Sequence, residues 1–138
     1  MFTKILPLLA LVAAISFSEI ALAVDRCPVS DAQAEEAGGY VQAVITSVRN
    51  ARNCRRAFKI TEACQFGDSK TNQLLEIVES KCEPLFMIKA DLATKRAYRE
   101  AQARCDKIAQ KNAGTMYHSF AAVCRAGAAS RFAHKFGH

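Results

Sequence analysis

The sequence predicts an all-α protein, a small helical bundle of two disulfide-stapled antiparallel helical hairpins that follows a cleaved signal peptide. Three observations predict it. Apolar residues recur at steps of three and four, the period of one helix face, and no stretch alternates as a half-buried strand would. Cys54 and Cys82 lie at equal distance from Asp68 in the turn signal Gly67-Asp68-Ser69, and Cys105 and Cys124 are centred in the same way on Gly114-Thr115. If the chain reverses at those points, the two sulfurs of each pair stand at matching heights on facing helices. The cysteine count of 6 is even, as expected of a disulfide framework in an oxidising compartment.

The N-terminal stretch supports that compartment. Lys4 is followed by an apolar run over residues 5–17, a polar break at Ser18-Glu19 and the small-residue ending Ala21-Leu22-Ala23. This is the layout of a secretory signal peptide spanning residues 1–23, with a single disulfide-rich helical domain over 24–138. The apolar run falls short of the roughly 20 residues a membrane-spanning helix needs. Removing it takes away one charge of each sign, so the expected mature chain, secreted or periplasmic, keeps a net charge of +6.

Along that chain, Ser30 three residues before Gln33 reads as a capping box opening a short helix, which Gly38-Gly39 ends. Val41, Val44, Val48, Ala51, Cys54 and Phe58 then predict one helix over 40–65. Thr71, Leu75, Val78 and Cys82 share a face of the next. Pro84 is expected to stop it, with a restart near Leu85 into the longest helix, reaching about residue 112. Its inward side reads as Phe86, Ala90, Ala93, Ala97, Ala101, Cys105 and Ile108, and Asp91 with Lys95 and Glu100 with Arg104 are spaced as helical ion pairs. Tyr117, Ala121, Cys124, Ala128 and Phe132 form the stripe of the last helix. Its small run Ala126-Gly127-Ala128-Ala129 would admit a close neighbour.

Helix geometry narrows the fifteen connectivities that six cysteines allow. Cys54 and Cys64 fall on one predicted helix about 15 Å apart along the axis, beyond the roughly 7 Å α-carbon limit of a disulfide. With Cys54–Cys82 and Cys105–Cys124 chosen by mirror position, Cys27 is left for Cys64, which requires the segment before Tyr40 to fold back along the first long helix.

Charge is uneven. Residues 49–66 carry a net +4 and 95–138 a net +7, against −3 for 24–48 and −2 for 67–94. Arg49, Arg52, Arg56 and Lys59, at steps of three, four and three, would make one cationic stripe with Arg55 beside it. Such a stripe is ordinarily a solvated face. Its functional reading is a surface for an acidic protein, a polyanionic envelope component or an anionic membrane. Nucleic acid is not expected, because no aromatic residues interleave with the cations. Catalytic, metal and cofactor motifs are not expected either. No cysteines are spaced C-x-x-C, and covalent haem attachment would need C-x-x-C-H. His134 and His138 share ligand spacing but sit at the chain end, His118 has no base or carboxylate nearby in sequence, and Met87 and Met116 read as filler rather than haem ligands. The expectation is an exported, non-catalytic binding module of inhibitor or immunity type that uses Arg49, Arg52, Arg56 and Lys59. The alternatives are a membrane-surface or lipid-binding protein and an accessory structural subunit of an assembly.

Overall fold

A computed structural model describes residues 26–66 and 69–137, which form six helices and no strand. The expected signal peptide and the turn residues Gly67 and Asp68 lie outside the described residues.

The first helix, α1 (Asp31–Glu36), opens on the expected capping box. The Ser30 hydroxyl accepts from the Gln33 amide at 3.3 Å, and the Gln33 side chain accepts from the Ser30 amide at 2.9 Å. Gly38 and Gly39, at φ 77° and 139°, then turn the chain through backbone that other residues adopt only with strain.

The single helix expected over 40–65 is two helices, α2 (Tyr40–Arg49) and α3 (Cys54–Ala63). Asparagine is the physical reason. The Asn53 side chain accepts the Arg56 amide at 2.8 Å and so caps a new N-terminus, in competition with continuing the old helix. The opposite correction applies at Pro84, which does not stop its helix: α4 runs Ser69–Met87 with the proline inside. Pro84 and Ser80 are both exposed, so the carbonyl that loses its helical donor faces water rather than a dry core. The chain turns later, where the Asp91 carboxylate accepts the Thr94 amide at 2.7 Å and starts α5 (Leu92–Lys111). Asp91 is thus a helix cap rather than the expected partner of Lys95. The later start also rotates the inward face. Tyr98 and Cys105 are buried, whereas Ala93 and Ala97 are exposed. Gly114, at φ 113°, leads into α6 (Thr115–Phe136).

Helix α6 is the centre of the bundle. It packs most extensively on α4 and on α5, which have little direct backbone contact with each other, and it also meets α3. Position explains its composition: Ala126, Gly127, Ala128, Ala129 and Ser130 are buried in succession, so no face of that stretch looks outward. A Cβ on Gly127 would stand 3.3 Å from the Phe58 ring, which measures how closely α3 approaches. The larger core side chains come from the neighbours. Val44, Val48, Leu74, Leu75, Val78 and Phe86 are fully enclosed, each contributing roughly 1.5–3 kcal/mol of burial before conformational entropy is counted.

The disulfides join Cys27 to Cys64, Cys54 to Cys82 and Cys105 to Cys124, with α-carbons 4.8, 5.1 and 5.4 Å apart. The last two are the pairs that mirror spacing selects, and the first is the pair left over. The first folds the N-terminal segment back onto the end of α3, where the Tyr40 hydroxyl donates to the Cys27 sulfur at 2.9 Å and the Tyr40 ring meets Phe66 edge-on. The second and third make α3–α4 and α5–α6 antiparallel pairs. Phe86 near the end of α4 meets Phe132 near the end of α6, so those two helices run parallel. Three disulfides suit an oxidising environment. Among the described residues no helix is long and apolar enough to cross a membrane.

Candidate functional site

The break between α2 and α3 disperses the cations that the sequence aligned. Arg49 ends α2, Arg52 lies in the connection, and Arg56 and Lys59 belong to α3. All four are exposed, but they share no single helical face. The backbone around Arg49 has a structural task as well, since its carbonyl accepts the Lys81 ammonium at 2.9 Å.

A different set of basic groups converges. Arg55 and Lys59 from α3 face Arg131 and His134 from α6 across a groove made of two adjoining depressions of about 370 and 300 Å³. Arg55, Ser130 and His134 line both. The groove exists because the α6 wall is built of Gly127, Ser130 and Ala133, too small to fill the space that α3 leaves above them. Glu62 is the one acid that lines it. Of the four cations singled out by spacing, only Lys59 takes part. Arg55, which the sequence placed only beside the stripe, joins Arg131 here because α3 and α6 touch, a contact that the sequence does not show.

The most perturbed ionisable groups lie elsewhere, between α4, α5 and α6. The Arg125 guanidinium pairs with Asp106 at 2.9 Å and with Glu79 at 3.6 Å. Tyr98, 3% exposed, donates its hydroxyl to Glu83 at 2.6 Å, and the Gln102 amide donates to that same hydroxyl. Burial raises the Glu79 carboxyl above its ordinary value, only partly offset by Arg125, and burial with the Glu83 hydrogen bond raises the Tyr98 phenol. The partners of this network come from the three helices themselves, so its action is to clasp them together.

A third feature is an apolar opening of about 650 Å³ between the first turns of α4 and α6, lined by Asn72, Met116, His118 and Phe120 among others. His118 therefore stands on an exposed rim, far from Met87 at the opposite end of α4. Of the other two histidines, His134 lines the basic groove and His138 lies outside the described residues. Among the described residues no group of three or more His, Cys, Asp or Glu is placed to hold a metal ion. No family model, curated protein or solved structure matches the chain.

Proposed function

We propose that this is an exported, non-catalytic binding protein whose α3–α6 face takes an anionic macromolecular partner. One observation carries the reading: Arg55, Lys59, Arg131 and His134, from helices distant in sequence, are gathered around a floor of small residues that leaves room for a partner's acidic groups. Arginine suits such a site, because its planar fork matches carboxylate and phosphate geometry. The signal-peptide layout of residues 1–23 and the three disulfides support export, and the covalent staples keep the face rigid, which lowers the ordering cost of binding.

The test compares two charge-reversed variants of the disulfide-bonded protein in pulldowns from envelope extract. Arg55→Glu with Arg131→Glu is expected to abolish capture of the retained partner, while Arg49→Glu with Arg52→Glu leaves it. Equal retention by both variants removes the groove from the reading.

A further inference from the structure

Four of the seven large apolar side chains open to solvent among the described residues stand at one end of the bundle. They are Leu85, Ile88, Leu92 and Phe136, exposed by 48%, 79%, 79% and 37%. The register brings them together. The Cys105–Cys124 bridge sets α5 antiparallel to α6, and counting equal steps outward from it pairs Leu92 with Gly137. Leu85 lies beside that same glycine, its Cβ 3.3 Å from where a Cβ on Gly137 would be. Ile88 is in the turn that joins α4 to α5. These residues rest on a packed aromatic base, in which Phe132 meets Phe86 at 5.7 Å, Tyr98 at 5.2 Å and Phe136 at 5.6 Å.

Charge around the same end is predominantly positive. Lys89 lies between Ile88 and Leu92, Arg96 is on the second turn of α5, and the Lys135 ammonium lies 5.0 Å from the Phe136 ring centre. Arg52 is brought near by the Cys54–Cys82 bridge, which holds the start of α3 level with the end of α4. Two acids share the region: Glu83, which accepts from the Tyr98 hydroxyl, and Asp91, exposed beside Leu92 and kept ionised by the Thr94 amide; the four cations outnumber them.

An apolar tip ringed by cations fits the boundary of an anionic bilayer, where aliphatic and aromatic side chains reach the acyl region and lysine and arginine stay among the phosphates. A second copy of the chain is a poor occupant, because a twofold contact would set these cations against one another. We propose that this end of the bundle docks the protein on an anionic membrane surface, with Ile88 and Leu92 entering the headgroup–acyl boundary. Leu85 and Gly137 also line the near end of the α3–α6 groove, but Ile88, Lys89, Leu92 and Lys135 do not, so variants at those four test the tip separately.

The chain contains no tryptophan, so Leu92→Trp supplies a single reporter. With vesicles of phosphatidylglycerol and phosphatidylcholine in equal parts, at low salt, the expected result is a blue-shifted emission and co-sedimentation of the disulfide-bonded protein. Both should vanish on pure phosphatidylcholine and at high salt. Since each cation near an anionic surface contributes roughly a fivefold gain in binding, Lys89→Glu with Lys135→Glu should lower partitioning more than tenfold. Ile88→Ser with Leu92→Ser should lower it at least as far, with helical circular dichroism and partner capture by the groove unchanged. Failure of the unaltered chain to bind anionic vesicles, or equal binding by the serine variant, overturns the proposal. So does a serine variant whose only change is the loss of a dimer in solution.

Discussion

Replacing each disulfide by two alanines should place Cys27–Cys64 last in stability contribution, where loop length alone places it first. Chain entropy assigns about 3.8, 3.6 and 3.2 kcal/mol to closing loops with separations of 37, 28 and 19 residues. On that ground Cys27–Cys64 matters most. Burial argues otherwise. Cys54 and Cys82 are 4% and 0% exposed, so deleting both sulfurs leaves two small voids between α3 and α4 and adds roughly 1 kcal/mol for each. The Cys27–Cys64 bridge ties down a segment whose helix α1 packs chiefly on α2. When that bridge is absent, residues before Tyr40 can detach while the bundle persists, and the freedom regained by the native state offsets part of the loop term.

The expected losses are therefore about 5–6 kcal/mol for Cys54→Ala with Cys82→Ala, about 3–4 for the Cys105 and Cys124 pair, and under about 3 for the Cys27 and Cys64 pair. Urea unfolding followed by helical circular dichroism measures the losses in the variants that stay folded, and the helical signal without denaturant bounds the largest. Since the largest figure approaches the whole stability of a small domain, the Cys54 and Cys82 variant should be largely unfolded without denaturant. A Cys27 and Cys64 variant less stable than the other two would refute the account.

Gly127→Leu should cost about 1–3 kcal/mol by driving Phe58 and α3 off α6, whereas Gly127→Ala, a gain of about 1 kcal/mol in helix propensity set against a tight contact, should stay within about 1 kcal/mol of the parent in chemical denaturation. Tyr98→Phe keeps the ring packing on Phe86 and Phe132 but removes the hydroxyl that donates to Glu83 and accepts from Gln102, leaving the Gln102 amide only the Arg125 carbonyl at 3.4 Å, a loss of about 1–3 kcal/mol in the same assay. Asn53→Ala removes the cap that starts α3 and should cost about 1 kcal/mol. Burial raises the Glu79 carboxyl in the folded state above 4.5, so its contribution to stability is present below that value and is lost as pH rises through the folded pKa. Between about pH 4 and about pH 7 the parent should therefore lose stability relative to Glu79→Gln, and parallel thermal melts of the two across that range would contradict this.

How much of this was legible in the sequence divides by range. The capping box at Ser30 and the glycine turns at Gly38-Gly39 and Gly114 are local, and they carry over directly; the helical periodicity carries over as helix content but not as every boundary or inward face. The cysteine pairing was legible because mirror spacing turns a long-range contact into arithmetic along the chain. Where two local rules competed, the environment decided. Asn53 as a cap won over the apolar period that continues through Ala51 and Cys54, and an exposed Pro84 lost to the packing of Leu75, Val78, Cys82 and Phe86 on one side of α4. The basic groove was not legible, because neither Arg55 nor Arg131 stands out until α3 is seen to lie on α6. Nor was the Glu79–Arg125–Asp106 clasp, whose members come from three helices.

The distribution of apolar residues over this fold bears on function. At the centre of the bundle stand Ala126, Gly127, Ala128 and Ala129, and the enclosed large side chains of the neighbouring helices are few for three helices of about 20 residues. Yet Ile88 and Leu92, each 79% exposed, sit where a helix-to-helix turn would ordinarily carry polar residues. Neither adds to the core, and both raise the solubility cost of the free protein. A chain that depends on covalent staples for stability has no internal use for two aliphatic side chains in water. On the docking proposal above, their use lies in what that end of the bundle touches, and the lysines and arginines around them favour a surface that is anionic outside and apolar just beneath.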